Sequence, residues 1–281
     1  MVQTRQLRAN HPNSHYASAI FQYEKEFAIK FRNITTLVFL DDKHRCKIGE
    51  PGHPIAAVER GKRVIVGKDT TFAVSDHDFA KAGMVPSVTM FCDIPETIDG
   101  DFYRGKVCIG LKDPIFQPST PLRHMTELYN IFLTQKIPNP ILCLYTDGGP
   151  DHWCTYMRVQ LSYICLFLAF DLDYLVAART PPSHFWKNPV EHIMSTLNLG
   201  LQCIGLMRSK MDDKYENLIN KANSMKDIRE IAESNPTLRD ELIKSIQKPI
   251  SFVHEIFERQ SLKGVPFKTF NAAMNEDIEQ F

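Results

Sequence analysis

Two unbroken apolar runs, each followed by an aspartate, constrain this chain more than any other feature. Leu37-Val38-Phe39-Leu40 runs into Asp41-Asp42, and Ile141 to Tyr145 runs through Thr146 into Asp147. A short run without polar alternation fits a strand covered on both faces. Neighbouring strands lie about 4.8 Å apart. If these two are parallel neighbours, their carboxylates meet at one sheet end, where ligand sites of open α/β sheets form. Like charges that close repel unless a cation lies between them, and a divalent metal with oxygen ligands is the natural counterion. A strand-terminal aspartate taken singly is as readily a turn residue. Asp41 and Asp42 must point to opposite faces, so one of them alone can join the site. Asp41, directly after the apolar run, is the first choice and Asp42 the alternative.

The rest of the chain reads as strands followed by alternation. Tyr16, Ile20, Tyr23, Phe27 and Phe31 recur at helical spacing in an N-terminal extension, residues 1–33. Strands are expected at Thr35–Leu40, Val64–Val66 and Val88–Ile94. Another strand-like piece, Val107–Leu111, lies inside a Pro-, Gly- and Asp-rich stretch, 95–121, that reads as an insertion. A helix follows at Leu122–Gln135, then a strand at Ile141–Tyr145, a buried helix at Trp153–Phe170 and a strand at Leu172–Ala178. An amphipathic helix at Asn188–Gly205 comes last. That order predicts an α/β fold, a mixed β-sheet flanked by helices over residues 34–210. A charged helical C-terminal region, 211–281, completes the chain, its mixed charge most simply a solvated face.

Composition narrows the function classes. The 281 residues are 43% hydrophobic, enough for an ordinary core, and Lys+Arg balance Asp+Glu at 33 each. A wholly basic nucleic-acid binder is thereby excluded, although a local basic face is not. Seven cysteines without a CxxC pair argue for reduced, core-filling thiols in an intracellular protein rather than disulfides or zinc. No apolar run approaches the ~18 residues that span a bilayer, so no membrane association is expected. Gly148-Gly149 does not extend to a dinucleotide-binding GxGxxG and there is no P-loop lysine; no small-molecule organic cofactor is expected.

A third carboxylate lies in Lys187-Asn188-Pro189-Val190-Glu191. Asn188 suits an N-cap, Pro189 the first helical position, and Glu191 a capping-box carboxylate. The same Glu191 borders the buried stripe of Val190, Ile193, Met194, Leu197, Leu201 and Ile204, so it is equally placed to face the sheet end. Asp151 and His152 follow Asp147 closely, and Gly148-Gly149 would let backbone or substrate approach it.

Leu40-Asp41-Asp42-Lys43, Thr146-Asp147-Gly148-Gly149-Pro150-Asp151-His152 and Lys187-Asn188-Pro189-Val190-Glu191, in this order, resemble the motifs of DDE-type transposases and integrases, including mariner-type enzymes, of the RNase H-like superfamily. The resemblance spans roughly residues 34 to 205. It implies an RNase H-like sheet and Asp41, Asp147 and Glu191 as catalytic carboxylates holding two Mg²⁺ or Mn²⁺ ions. It also implies DNA as partner and cleavage and transfer of DNA strands as the activity, with Asp151, His152 and Asn188 supporting. The nucleus would be the location in a eukaryote, and a homodimer is left open. The chain departs from the pattern at Gly148-Gly149 and shows no N-terminal helix-turn-helix, so a catalytically inactive, transposase-derived DNA- or protein-binding module is the alternative. A haloacid-dehalogenase-like phosphatase would use Asp147 and Asp151, but wants Asp where Lys43 stands and gives Glu191 no role.

DNA needs cations along its backbone. Lys43, Arg45, Lys47, Arg60, Lys62, Arg63 and Lys68 follow the first aspartate, and Arg179, Trp186 and Lys187 flank Glu191. A solvated hairpin explains the first group equally well, and core packing explains Trp186.

Overall fold

The computed structural model describes residues 12–58, 80–135, 139–147, 149–180 and 187–281. α1 spans Ser14–Lys30, β1 Thr35–Asp42, β2 Cys46–Ile48, β3 Ile55–Ala56, β4 Ala82–Cys92 and β5 Gly105–Lys112. α2 covers Pro121–Gln135, β6 Ile141–Thr146, α3 Met157–Ala169, β7 Tyr174–Arg179 and α4 Val190–Gly200. Beyond these come β8 (Gly205–Leu206), α5 (Asp213–Ile219), α6 (Met225–Ser234), α7 (Pro236–Glu258), β9 (Ser261–Leu262), β10 (Val265–Pro266), β11 (Lys268–Asn271) and α8 (Asn275–Gln280).

The main sheet runs β11-β5-β4-β1-β6-β7, with β2 also on β4. β4 is antiparallel to β1 and β5, whereas β6 is parallel to β1, β7 to β6 and β11 to β5. This is a mixed sheet flanked by helices, as the order of elements in the sequence predicts. β1 is central because both its faces are apolar. Leu37 and Phe39 pack with Cys143, Tyr145, Ala28 of α1 and the Val190, Ile193 and Leu197 stripe of α4. Val38 and Leu40 pack with Leu142, Leu144, Met125 and Leu128 of α2 and Val159 and Leu166 of α3. Each such fully buried side chain contributes about 1.5–3 kcal/mol. A separate cluster joins Ile115 to Tyr215, Ile219, Ile228, Leu238 and Leu242 of α5, α6 and α7.

Several elements differ from the sequence expectation. The Val64–Val66 strand lies outside the described residues. Val107–Leu111 belongs to no insertion: β5 is an interior strand, paired with β4 along its length and with β11 beyond. The helix expected from Trp153 starts at Met157, because Pro150 opens a 3₁₀ turn and Trp153 is extended. It is also only half-buried: Leu161, Ile164 and Leu168 are exposed, since the sheet covers one stripe alone. The last expected helix stops at Gly200; Cys203 then takes φ 63° and β8 turns back to pair with β3. All seven cysteines are free, and Cys203 is exposed rather than core-filling. Among the described residues no helix is long and apolar enough to cross a membrane.

Candidate carboxylate site at the sheet end

The register of β1 and β6 builds the site. Phe39 pairs with Tyr145 and Leu40 with Thr146, so the next residues outward, Asp41 and Asp147, stand side by side. Strand alternation puts both on the face shared by Leu37, Phe39, Cys143 and Tyr145, the face that α4 covers. Glu191 sits in the first turn of α4, half-buried. Asn188 brings that turn to the sheet. It is wholly buried, its amide donates to the Leu40 carbonyl at 3.0 Å, and its oxygen accepts from the Val190 N–H at 3.3 Å. The expected N-cap position falls instead to Pro189, while Asn188 links the helix start to the end of β1.

Asp41 is 7% exposed. Burial pushes its carboxyl well above the usual range, and the negative charges of Asp147, Glu191 and Asp42 push it further. Asp147 receives the Gly149 N–H at 3.1 Å. A Cβ on Gly149 would lie 3.1 Å from both Asp147 carboxylate oxygens, so a side chain there would make the Asp147 carboxylate shift by a few tenths of an ångström. The oxygen-only donor set and the buried, uncompensated negative charge fit a hard divalent cation. Among the described residues, no group of three or more carboxylate, imidazole or thiol side chains is arranged to hold an ion.

Asp42 points the other way, into a polar network that sequence reading missed. Lys112, fully buried, reaches both Asp42 oxygens at 3.2 Å, Glu127 at 3.5 Å and His124 Nδ1 at 3.1 Å. Ser119 donates to Asp42 as well. Burial opposes the Asp42 charge, but His124, Lys112, Ser119 and Ser87 together hold its carboxyl well below the ordinary range. Burial and the neighbouring Lys112 push the His124 imidazole well below its ordinary range, against the pull of Asp42. The signal was present in the sequence: Lys112 ends an apolar run, and His124 and Glu127 are spaced i, i+3 within the apolar stripe of α2. His152 is buried, its ring 4.6 Å from that of His124 and its Nδ1 without a hydrogen bond. Asp151 is half-buried, its carboxyl raised by burial and by Asp42 and Asp147.

The expected DNA contacts fall into groups. Arg60, Lys62, Arg63, Lys68 and Trp186 lie outside the described residues. Lys43 follows β1 and is half-buried, and Lys47 lies in β2. Arg45 turns inward, donating to the Ala80 carbonyl at 2.6 Å and lying 3.7 Å from Met225 Sδ. Lys187 donates to Ser18 of α1 at 2.5 Å. Arg179 pairs in register with Thr146, next to Asp147, and its guanidinium lies 4.0 Å from the centre of the Trp153 ring.

No protein-family model matches the chain, and no curated protein matches it in sequence. Two solved structures are similar. One is a Mos1 mariner paired end complex with Mn, 12% identical, with a TM-score of 0.42 over 86% of this chain and 65% of that chain. The other is a Mos1 transposase paired-end complex with left transposon end, 11% identical, with a TM-score of 0.42 over 88% of this chain and 67% of that one. The chain thus spans about two thirds of the length of the transposase chains it matches.

Proposed function

We propose that this chain is a metal-dependent polynucleotidyl transferase or endonuclease of DDE type, acting on DNA through Asp41, Asp147 and Glu191. The observation that carries the reading is the parallel register of β1 and β6, whose last pair, Leu40 with Thr146, is followed on each chain segment by Asp41 and Asp147, with the charges of Asp147 and Glu191 both felt at Asp41. Burial leaves Asp41 poor in solvent and rich in negative neighbours, a setting that a divalent cation relieves. Bound Mg²⁺ or Mn²⁺ would supply Lewis-acid activation of a phosphodiester and of the attacking hydroxyl.

The protein's part is position. Asn188 fixes the first turn of α4 against β1, and the Gly149 N–H donates to the Asp147 carboxylate. Lys112 locks Asp42 on the opposite face, which orients Asp41 towards α4. For holding the strand, Arg179 over Trp153 presents a cation and an aromatic plane beside Asp147, a pairing suited to phosphate and unpaired base. Lys43, Lys47 and Lys187 would add backbone contacts.

The test is nicking of supercoiled plasmid by the full chain with Mg²⁺ or Mn²⁺, against EDTA. Metal-dependent nicking that Asp147→Asn lowers by about 10²-fold or more is expected, the scale of losing one preorganised electrostatic group. Equal nicking by both proteins would mark a contaminant. DNA binding without cleavage in either metal would instead favour the inactive binding module.

A further inference from the structure

Two adjoining cavities lie beyond the carboxylate site, where α6, α7 and α8 meet the end of β5, and they share Phe116 and Arg239 as a common wall. The first, of about 610 Å³, is cationic: Arg123, Arg229 and Arg239 line it against a single acid, Glu233. Backbone carbonyls hold two of these guanidiniums in place. Arg123 donates to the Ala273 and Pro118 carbonyls at 3.3 and 3.2 Å, and Arg229 to those of Ile115 and Pro114 at 2.6 and 2.9 Å. A guanidinium has five N–H donors, so both retain donors, and Arg239 lies over the Phe116 ring at 5.5 Å.

The second cavity, of about 400 Å³, has apolar walls from Leu111, Phe116 and Ile246 and a set of hydrogen-bonding groups in Asp113, His254 and Asn271. Asp113 is 5% exposed and its Oδ2 is buried without a hydrogen bond. The ring nitrogens of His254 are buried as well, with the Asn271 side chain as their hydrogen-bonding neighbour. Buried polar atoms are nearly always satisfied, so the Asp113 oxygen points to a missing partner. Burial raises the Asp113 carboxyl to about 6 against the pull of the Ile115 N–H and Arg45, and an N–H donor at the free oxygen would favour its charged form.

We propose that the two cavities form one site for a nucleoside monophosphate unit, the phosphate on the arginines and the amino-bearing base between Phe116 and Asp113. Size supports it, since ligand pockets run to about 300–1,000 Å³ with a few placed polar groups on an apolar lining. The site stands independently of the carboxylate triad and was not expected from the sequence, which carries no nucleotide-binding motif.

Calorimetric titration of the full chain with AMP, adenosine, inorganic phosphate and a short single-stranded oligonucleotide tests it. AMP is expected to bind with Kd of about 100 μM or tighter. Adenosine and phosphate should each bind at least tenfold more weakly, and Arg239→Ala and His254→Ala should each weaken AMP tenfold while melting as wild type does. If the oligonucleotide binds with the same variant sensitivity and AMP does not, the unit is read within a strand; if AMP binds, it is read free. Inorganic phosphate binding as tightly as AMP would overturn the base half. Absence of saturable binding by either AMP or oligonucleotide to folded wild type would overturn the whole proposal. Should a variant not fold, Arg239→Lys, which keeps the charge but loses the planar fork, replaces it and is expected to weaken AMP.

Discussion

At the residue scale, adjacent aspartates have opposite energetics. Asp42 is paired with a fully buried lysine, and breaking such a pair leaves an uncompensated charge. Asp42→Asn is expected to cost about 3 kcal/mol in urea denaturation. Asp41→Asn removes a buried charge that faces like charges, so without metal it should leave stability unchanged or higher; the reverse order would sink the assignment of roles. Glu24 offers a pH test. It is 5% exposed in α1, both its carboxylate oxygens lack a hydrogen bond, and burial raises its carboxyl from 4.5 to about 8. The folded state therefore holds a proton that the unfolded state has lost between those values, and stability falls as pH rises through that window. Glu24→Gln, which has no carboxyl to ionise, should remove that slope and be more stable than the wild type above pH 8. Melting curves across pH check it, and an unchanged slope would refute it. Alternation shows from the sequence only that Asp41 and Asp42 face opposite ways, and leaves the choice between them open. Lys112, His124 and Glu127 stand out in the sequence as polar residues in apolar surroundings, but their meeting at Asp42 does not, because β1, β5 and α2 are far apart in sequence.

At the element scale, β11 shows how a late segment completes an early sheet. It lies parallel to β5, with Phe270 opposite Gly110. A Cβ on Gly110 would stand 2.7 Å from the Phe270 ring, so the missing side chain is what lets the strand seat. Gly110→Val should overpack this contact and destabilise by about 1–3 kcal/mol, with faster amide exchange confined first to β11. Uniform exchange across the sheet would argue against that account. The apolar runs of β1 and β6 were readable because both faces are covered, which leaves no alternation to misread. β5 was misplaced because its surroundings, rich in proline and glycine, look like a loop, although the strand itself is buried. The start of α3 was misplaced for a local reason, the 3₁₀ turn opened by Pro150.

At the scale of the whole molecule, the C-terminal region is bound into the core of the main sheet. Ile246, Val253 and Phe257 of α7 pack in the same cluster as Leu37 and Phe39 of β1. Arg208, fully buried, donates to Glu50 and to Glu216 at 2.5 Å each, tying the turn after β2 to α5. A chain ending at residue 210 would lose α7 and β11 and expose the apolar surface they cover. Such a truncation is expected to lack a cooperative thermal transition. Cooperative melting at the temperature of the full chain would show that residues 34–210 fold alone.

The sequence by itself determined the two apolar strands, their terminal aspartates, the helix that carries Glu191 and the mixed α/β class, because periodicity and apolar runs are local and survive without context. The tertiary structure decided which aspartate faces α4, because strand register and packing against α2 choose the side. It also decided that Asn188 links the helix start to the end of β1 as well as accepting the first N–H of α4, that β11 joins the sheet, and that arginines from α2, α6 and α7 line one cavity. Those outcomes rest on contacts between residues distant in the chain, which no local pattern encodes.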